Sequence, residues 1–399
     1  MNNCPRLKTV LNTGNVCMKH LQSITVAAGI LTAGSYLAPR ALSEYQVIPI
    51  SLTLIIAFIV IWKLAYYNLQ KTTNIKRKIV ILGTSKEARK IAQDLQVYRP
   101  LGYEFKGFIN DMYDKPNLDV LRPHILGHCE QLQEIVEREH INKVIVALSD
   151  RRGKLPMETL LACKLNGVEV EEGATFYEQV CRKIILENLR PSWLVFSQGF
   201  TISPTQRILK RLADIFLAGL GLLLAAPLML IVAIMIKLDS PGPALYRQQR
   251  VGRHGALFTL IKFRSMRHDA EAATGPIFAD QNDYRITRVG RVLRTLRMDE
   301  LPQLLNVLRG EMSFVGPRPE RPFFVEQFAK DIPYYTQRHS VRPGITGWAQ
   351  LCYPYGATVE DAVEKLCLDL YYIKNISLVL DLRIIMKTLQ IVVCGKGAR

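Results

Sequence analysis

The sequence predicts an α/β membrane protein in three parts. These are an N-terminal transmembrane hairpin, a Rossmann-like parallel α/β domain, and a mainly helical C-terminal domain containing a re-entrant membrane helix. Three observations predict it. Two uncharged stretches open the chain, alternating strand-like and helical runs fill residues 76–185, and a third uncharged stretch, interrupted by proline, opens the last half.

The opening stretches, Leu21–Ala38 and Tyr45–Trp62, are 18 residues each, just long enough to cross a bilayer. Arg6, Lys8 and Lys19 precede them, and Lys63, Lys71, Lys76, Arg77 and Lys78 follow, while the connector carries only Arg40 and Glu44. The excess of basic residues at the outer ends places both ends in the cytosol, within a hairpin occupying residues 1–70. A second apolar stretch and the lack of a cleavage pattern argue against a signal peptide.

Residues 76–185 read as a parallel α/β domain. KIVILG is followed by a polar helix through Leu95, YEFKGFIND, a helix around 129–139, KVIVAL at 143–148, a helix at 156–166 and VEVEE. Its glycine loop, Gly83-Thr84-Ser85-Lys86-Glu87-Ala88, keeps only the first glycine of G-x-G-x-x-G. Close approach of a pyrophosphate needs the others, so assembly or regulation is the better reading and no NAD is expected. Tyr67 and Lys71 have short-chain dehydrogenase spacing but precede the first strand, and are ascribed to chance.

After a linker at 186–204 comes the C-terminal domain, 205–399, with a membrane segment at 212–238. Ile215–Ile236 is 22 uncharged residues interrupted by Pro227; as a straight helix it reaches roughly 33 Å. Pro227 removes a backbone hydrogen bond mid-course, and basic residues flank both ends. The expected form is therefore helix–break–helix, entering one leaflet and returning; a spanning helix kinked by proline is the alternative. Ser377–Val393 mixes leucines and isoleucines with Asp381, Arg383 and Lys387, as an interfacial amphipathic helix or a core helix would.

With 399 residues, 49% of them hydrophobic, the chain carries a formal charge of +17. Such a surplus suits lipid surfaces or phosphorylated substrates; no nucleic-acid module is present, and no nucleic-acid partner is expected. The eight cysteines show no C-x-x-C or metal-ligand spacing and read as reduced thiols.

The most informative segment runs from Arg294 to Arg318. Asp299 and Glu300 are adjacent, and Arg285, Arg288, Arg291, Arg294 and Arg297 recur every three residues before them. The cations are expected to keep the acids ionised and to hold a polyanion such as a nucleotide diphosphate. Asp299 is expected as the N-cap of a helix with Pro302 in its first turn, where free N–H groups welcome phosphate. A capped surface helix with salt-bridging arginines is the competing reading.

From about Gln206 to Arg399 the chain resembles the bacterial sugar transferase family, the monotopic polyprenyl-phosphate phosphoglycosyl transferases. The resemblance rests on KRLADIFLAGLGLLLAAPLMLIVAIMIKLDSPGPALYRQQRVGRHG, FTLIKFRSMRHDAE, RMDELPQLLNVLRGEMSFVGPRPE and RPGITGWAQ. SWLVFSQGF, YPYGATVEDAVEKL, DLYYIKN and GKGAR most resemble the PEP-CTERM/exosortase-associated exopolysaccharide branch. Relatives often carry four N-terminal helices, so a reduced anchor or a start codon called too late is expected.

The resemblance implies that Asp299 attacks the β-phosphorus of a UDP-sugar, expels UMP and passes the phosphosugar to undecaprenyl phosphate. Glu300 would assist with Mg²⁺ or with protons. Lys262, Arg264, Arg318 and Arg342 would hold phosphates, and any Mg²⁺ would be shared between Asp299 and substrate phosphates. The setting would be the cytosolic face of the bacterial inner membrane, with a homodimer as a further expectation. Asp239 and Ser240 are expected to shape a turn, His254, His268 and His339 to be structural or phosphate-adjacent, and Trp348 and the tyrosines near 353–355 to pack in the core or line a sugar pocket. A glycosyltransferase releasing UDP would usually show Asp-x-Asp, absent here; a membrane-bound nucleotide-sugar dehydratase or dehydrogenase fits the degraded glycine loop badly. A non-catalytic scaffold of polysaccharide export leaves MDELPQ and GPRP without a task.

Overall fold

The computed structural model describes residues 77–97, 102–110, 125–148, 155–186, 199–267, 283–353 and 358–393, with a few isolated positions besides. The expected hairpin at 21–38 and 45–62 lies outside the described residues apart from helical Ala57, Phe58, Ile61 and Trp62. The chain forms two compact units that meet in sequence between Phe176 and Tyr177.

The first unit is a five-stranded parallel sheet in the order β3-β2-β1-β4-β5. Its strands are β1 (Arg77–Leu82), β2 (Tyr103–Asn110), β3 (Ile125–His128), β4 (Lys143–Val146) and β5 (Glu169–Glu172). Helices α1 (Lys86–Val97), α2 (Leu132–Glu139) and α3 (Met157–Leu165) alternate with them, and α4 (Gly173–Cys181) follows β5. The central β1 and β4 are continuous apolar runs because helices cover both faces of a parallel sheet; Val80, Leu82, Val144 and Val146 pack with Leu132, Ile135 and Val136 of α2.

The glycine loop is occupied by its own chain. Gly83 has φ +110°, and a Cβ there would stand 2.5 Å from the Ala147 carbonyl, so close strand packing accounts for it. Ser85, standing where a second glycine would, donates to Ala147 O at 2.8 Å and accepts from Ala88 N at 3.1 Å.

The second unit is mainly helical. Helix α5 (Pro204–Asp239) begins at a capping box of Ser203 and Gln206 with proline at its first position. The expected break at Pro227 is absent as an interruption: helical backbone runs through it, since proline removes one hydrogen bond while the flanking leucine- and alanine-rich turns keep theirs. Among the described residues it is the one helix long and apolar enough to cross a membrane, and only 11% of its most apolar window is buried. Leu223, Leu224 and Leu230 are exposed, as no core helix of a soluble protein would leave them.

The antiparallel hairpin β6 (Leu245–Val251) and β7 (Leu257–Phe263) leads to α6 (Arg288–Thr295) and α7 (Gln303–Arg309). Strand β8 (Ser313–Val315) then pairs in parallel with β9 (Gly344–Thr346). Helices α8 (Pro322–Asp331), α9 (Trp348–Cys352), α10 (Val359–Lys374) and α11 (Leu378–Val393) complete the unit. Helix α10 is buried almost all round. Helix α11 turns Asp381 and Ile384 inward and leaves Leu378, Leu382, Met386 and Leu389 exposed, an outward apolar stripe suited to an interface.

Candidate active site

Asp299 and Glu300 lie in a single 3₁₀ turn, Met298–Glu300, entered through Arg297 in the left-handed conformation at φ 54°. A non-glycine residue there costs about 1 kcal/mol, and such strain concentrates at functional sites. Asp299 is not the expected N-cap: Pro302 occupies that position for α7, and the two acids precede it on their own turn. Pro302 carries the helical φ but has no N–H to donate, so regular α7 begins after it, later than the side-chain pattern implies. Met298 and Leu301, flanking the acids, pack against Val232 and Ile236 of α5 together with Phe263 and Leu293. The dyad is thereby attached to the membrane helix.

Cations close on the acids from three segments. On β7, Lys262 faces Tyr246 across the hairpin with its Nζ 5.1 Å from the ring centroid. On α6, Arg294 bears on both Asp299 and Lys262. Arg318 donates through Nη2 to Glu300 Oε1 at 3.3 Å, and Arg297 Nη1 stands 3.9 Å from Glu300 Oε2.

Burial raises the Asp299 carboxyl to about 6, and the Glu300 charge adds to the rise, against the pull of Lys262, Arg294 and Arg318. Burial thus outweighs the cations in setting the pKa, because it removes the water that would hydrate the carboxylate. At neutral pH Asp299 is mostly ionised. Burial, then Arg250, lowers Lys262 to about 8.

The loop carrying Arg318 is held by residues whose sequence gives no sign of it. Arg338, 4% exposed, donates through Nη2 to Arg318 O at 3.2 Å and Asp369 Oδ2 at 2.8 Å, and through Nη1 to Tyr335 Oη at 2.6 Å. Arg250 Nη1 donates to Pro319 O at 2.9 Å. The glycines of GPRP and RPGITGW let two backbones cross: a Cβ on Gly344 would strike Gly316 N, and one on Gly347 would strike Gly316 O.

The remaining sequence candidates separate. Arg264 is buried and donates to Pro241 O at 2.8 Å, Ser240 O at 2.7 Å and Ser240 Oγ at 2.9 Å, so its guanidinium serves the exit of α5. Arg342 is half-buried among Arg211, Arg253 and Arg207 rather than with the groups acting on Asp299. Asp239 accepts from Val289 N at 3.2 Å, shaping the helix exit as expected. Trp348 is buried and donates to Arg182 O at 2.9 Å, which makes it a packing residue. Burial and Arg338 lower His339 to about 4, leaving it neutral. His268 and Tyr355 lie outside the described residues.

Among the described residues no three His, Cys, Asp or Glu side chains assemble as a metal cage. One half-buried carboxylate beside a second fits a magnesium ion that takes its other ligands from phosphates and water.

The family model for bacterial sugar transferase matches residues 205–395, and one for a CoA-binding domain matches 12–161. The chain is 44% identical over 240 residues to a UDP-N-acetylgalactosamine-undecaprenyl-phosphate N-acetylgalactosaminephosphotransferase of Aeromonas hydrophila, covering 60% of this chain and 56% of that protein. It is 34% identical over 334 residues to an undecaprenyl-phosphate glucose phosphotransferase of Komagataeibacter xylinus, covering 82% and 61% respectively. An exopolysaccharide production protein of Rhizobium leguminosarum bv. phaseoli is 46% identical over 189 residues, 45% of this chain and 93% of that protein. The chain thus spans less than two thirds of the first two relatives.

Proposed function

From the premise that this chain belongs to the bacterial sugar transferase family, we propose that it transfers a phosphosugar from a UDP-sugar to undecaprenyl phosphate. The observation that carries this reading is the turn Met298–Glu300, with Asp299 ionisable near neutrality beneath Lys262, Arg294 and Arg318. An Asp299 oxygen bonds to the β-phosphorus as the bond to the bridging oxygen breaks, and UMP leaves with that electron pair. An oxygen of undecaprenyl phosphate then attacks the same phosphorus and returns Asp299 as carboxylate, leaving a sugar diphospholipid.

Lys262, Arg294 and Arg318 neutralise the equatorial oxygens as charge moves, which is where preorganised cations contribute most. Glu300 holds the Arg318 guanidinium toward that position. Asp299 would hold the shared Mg²⁺, which supplies charge neutralisation on the phosphates when bound. Arg264 is a positioning residue of the helix exit, and Arg342 stands outside the reacting group.

Both ends of α5 bind the same folded unit, which supports a helix that bends at Pro227 and returns to the membrane face it entered from. Near its start Asp214 accepts from Ser313 Oγ and Phe314 N, both at 3.0 Å; at its end Asp239 accepts from Val289 N. Between Val289 and Ser313 the chain carries Arg291, Arg294, Arg297, Asp299, Glu300 and Arg309, so no run there crosses hydrocarbon. Since UDP-sugars are cytosolic, that face is the cytosolic one of the inner membrane, and the product would begin an exopolysaccharide. The C-terminal motifs YPYGATVEDAVEKL and GKGAR support the PEP-CTERM/exosortase-associated branch.

The test is product identity. Membrane-embedded chain, Mg²⁺ and undecaprenyl phosphate are incubated with UDP-glucose, UDP-N-acetylgalactosamine and other UDP-sugars. UMP release, lost in Asp299→Asn, is expected; UDP release would replace phosphosugar transfer with ordinary glycosyl transfer.

A further inference from the structure

We propose that Arg207, Arg211, Arg253 and Arg342 form a second anion site, holding the phosphate headgroup of an anionic bilayer lipid where α5 meets the membrane. The proposal rests on the reading that α5 lies in the bilayer.

Four guanidiniums are brought together from three segments. Arg211, on the third turn of α5, donates through Nη1 to Val307 O at 2.7 Å and through Nη2 to Leu308 O at 2.9 Å, at the C-terminal end of α7. Arg253, at the tip of the β6–β7 hairpin, donates through Nε to Ser340 O at 3.3 Å, two residues before Arg342. Arg342 leads into β9, whose partner strand β8 is fastened to α5 through Asp214.

The cluster sets four arginines against Asp214. Arg342 makes no side-chain hydrogen bond or ion pair among the described residues, and the Ser340 Oγ beside it is buried without a partner. The charged groups acting on Arg342 are Arg211, Arg253, Asp214 and Arg207; burial first, then the neighbouring arginines, hold it below its ordinary value. Asp214 is the acid among these groups, and its Oδ1 already accepts two hydrogen bonds. Self-repulsion of this kind is relieved by a bound anion.

The anion is a lipid phosphate because of what adjoins the cluster. Leu212, Ile215 and Phe216, on the same turns of α5, are 58%, 41% and 68% exposed. A basic cluster bordering exposed apolar side chains matches a phospholipid, headgroup against the arginines and acyl chains along the helix. The acceptor substrate is assigned to the dyad instead. Arg211 holds one end of α7 and the dyad precedes the other, so seven helical residues, about 10 Å, separate them. The groups acting most strongly on Asp299 are Glu300, Lys262, Arg294 and Arg318, none of them in the cluster.

The full chain is reconstituted in nanodiscs of equimolar phosphatidylcholine and phosphatidylglycerol, and the lipids retained on release are counted by native mass spectrometry. Wild type is expected to retain phosphatidylglycerol about ten-fold over phosphatidylcholine, with about five-fold of that lost in Arg342→Gln and, separately, in Arg253→Gln. The exposed hairpin variant Arg247→Gln should keep the preference, and Arg253→Gln carries the test if Arg342→Gln fails to fold. Equal retention by wild type and both variants overturns the site. Displacement of phosphatidylglycerol by undecaprenyl phosphate, or by inorganic phosphate at matched concentration, overturns the assignment to a bilayer lipid. Failure of the wild-type chain to enter nanodiscs overturns the membrane reading, and this inference with it.

Discussion

Titrating the dyad separates this site from an ordinary solvent-exposed carboxylate. Asp299 rises to about 6 because burial, and then Glu300, disfavour its charge, while Lys262 falls to about 8. If attack needs ionised Asp299 and charged Lys262, kcat/KM for UMP release should peak near pH 7 and fall on both sides. Below pH 6 the loss is about ten-fold per unit, where an unshifted aspartate would hold the rate to pH 4. The stability consequence has the opposite sense to a salt-bridged acid. A folded pKa above the unfolded one means that ionisation opposes folding: not below about pH 4, increasingly from 4 to 6, and fully above. Two pK units correspond to about 3 kcal/mol, which partial exposure of the side chain reduces to about 1–2 kcal/mol. Asp299→Asn should therefore unfold at a higher temperature than wild type at pH 7.5 and at nearly the same temperature at pH 3.5. An acid limb near pH 4, together with no pH-dependent difference in melting, would refute burial as the force that sets the ionisation of Asp299.

Two other substitutions test the frame around it. Arg338→Met leaves Asp369 buried without its ion-pair partner, so the unit should lose about 3–5 kcal/mol; in Arg338→Lys, which keeps the charge but not the fork, UMP release should fall more than thermal stability, because the Arg318 carbonyl loses its donor. Gly344→Ala should prevent stable folding of the transferase unit, read as loss of a cooperative melting transition, since the added methyl meets Gly316 N on a backbone that cannot yield.

Apolar patterning was the most legible part of the sequence. The runs KIVIL and KVIV, and the uncharged core of α5, announce their elements because burial or lipid selects one side-chain class along a whole segment. Strand β3, four residues reading ILGH, carries too little pattern to be seen, and its place beside β2 follows from the sheet. Arginine roles were the least legible. Arg264 and Arg318 stand in equally suggestive motifs, yet one binds backbone carbonyls at a helix end and the other faces Glu300. Arg338 is one of several basic residues before RPGITGW, and its partner Asp369 lies 31 residues away on α10, beyond the reach of local spacing.

The position of the dyad explains why its electrostatics differ from a reading based on charge count. The proposed reaction would need its nucleophile where water and hydrocarbon meet. Met298 and Leu301 secure that place by packing on Val232 and Ile236 of α5. The same packing removes solvent from Asp299, so its raised pKa follows from the site's address rather than from a missing cation. Lys262, Arg294 and Arg318 limit that rise to about 6. With fewer cations the carboxyl would rise further; in full solvent it would be the weaker base. The arginine surplus and the membrane helix are thus two halves of one arrangement, each setting the ionisation that the other would spoil.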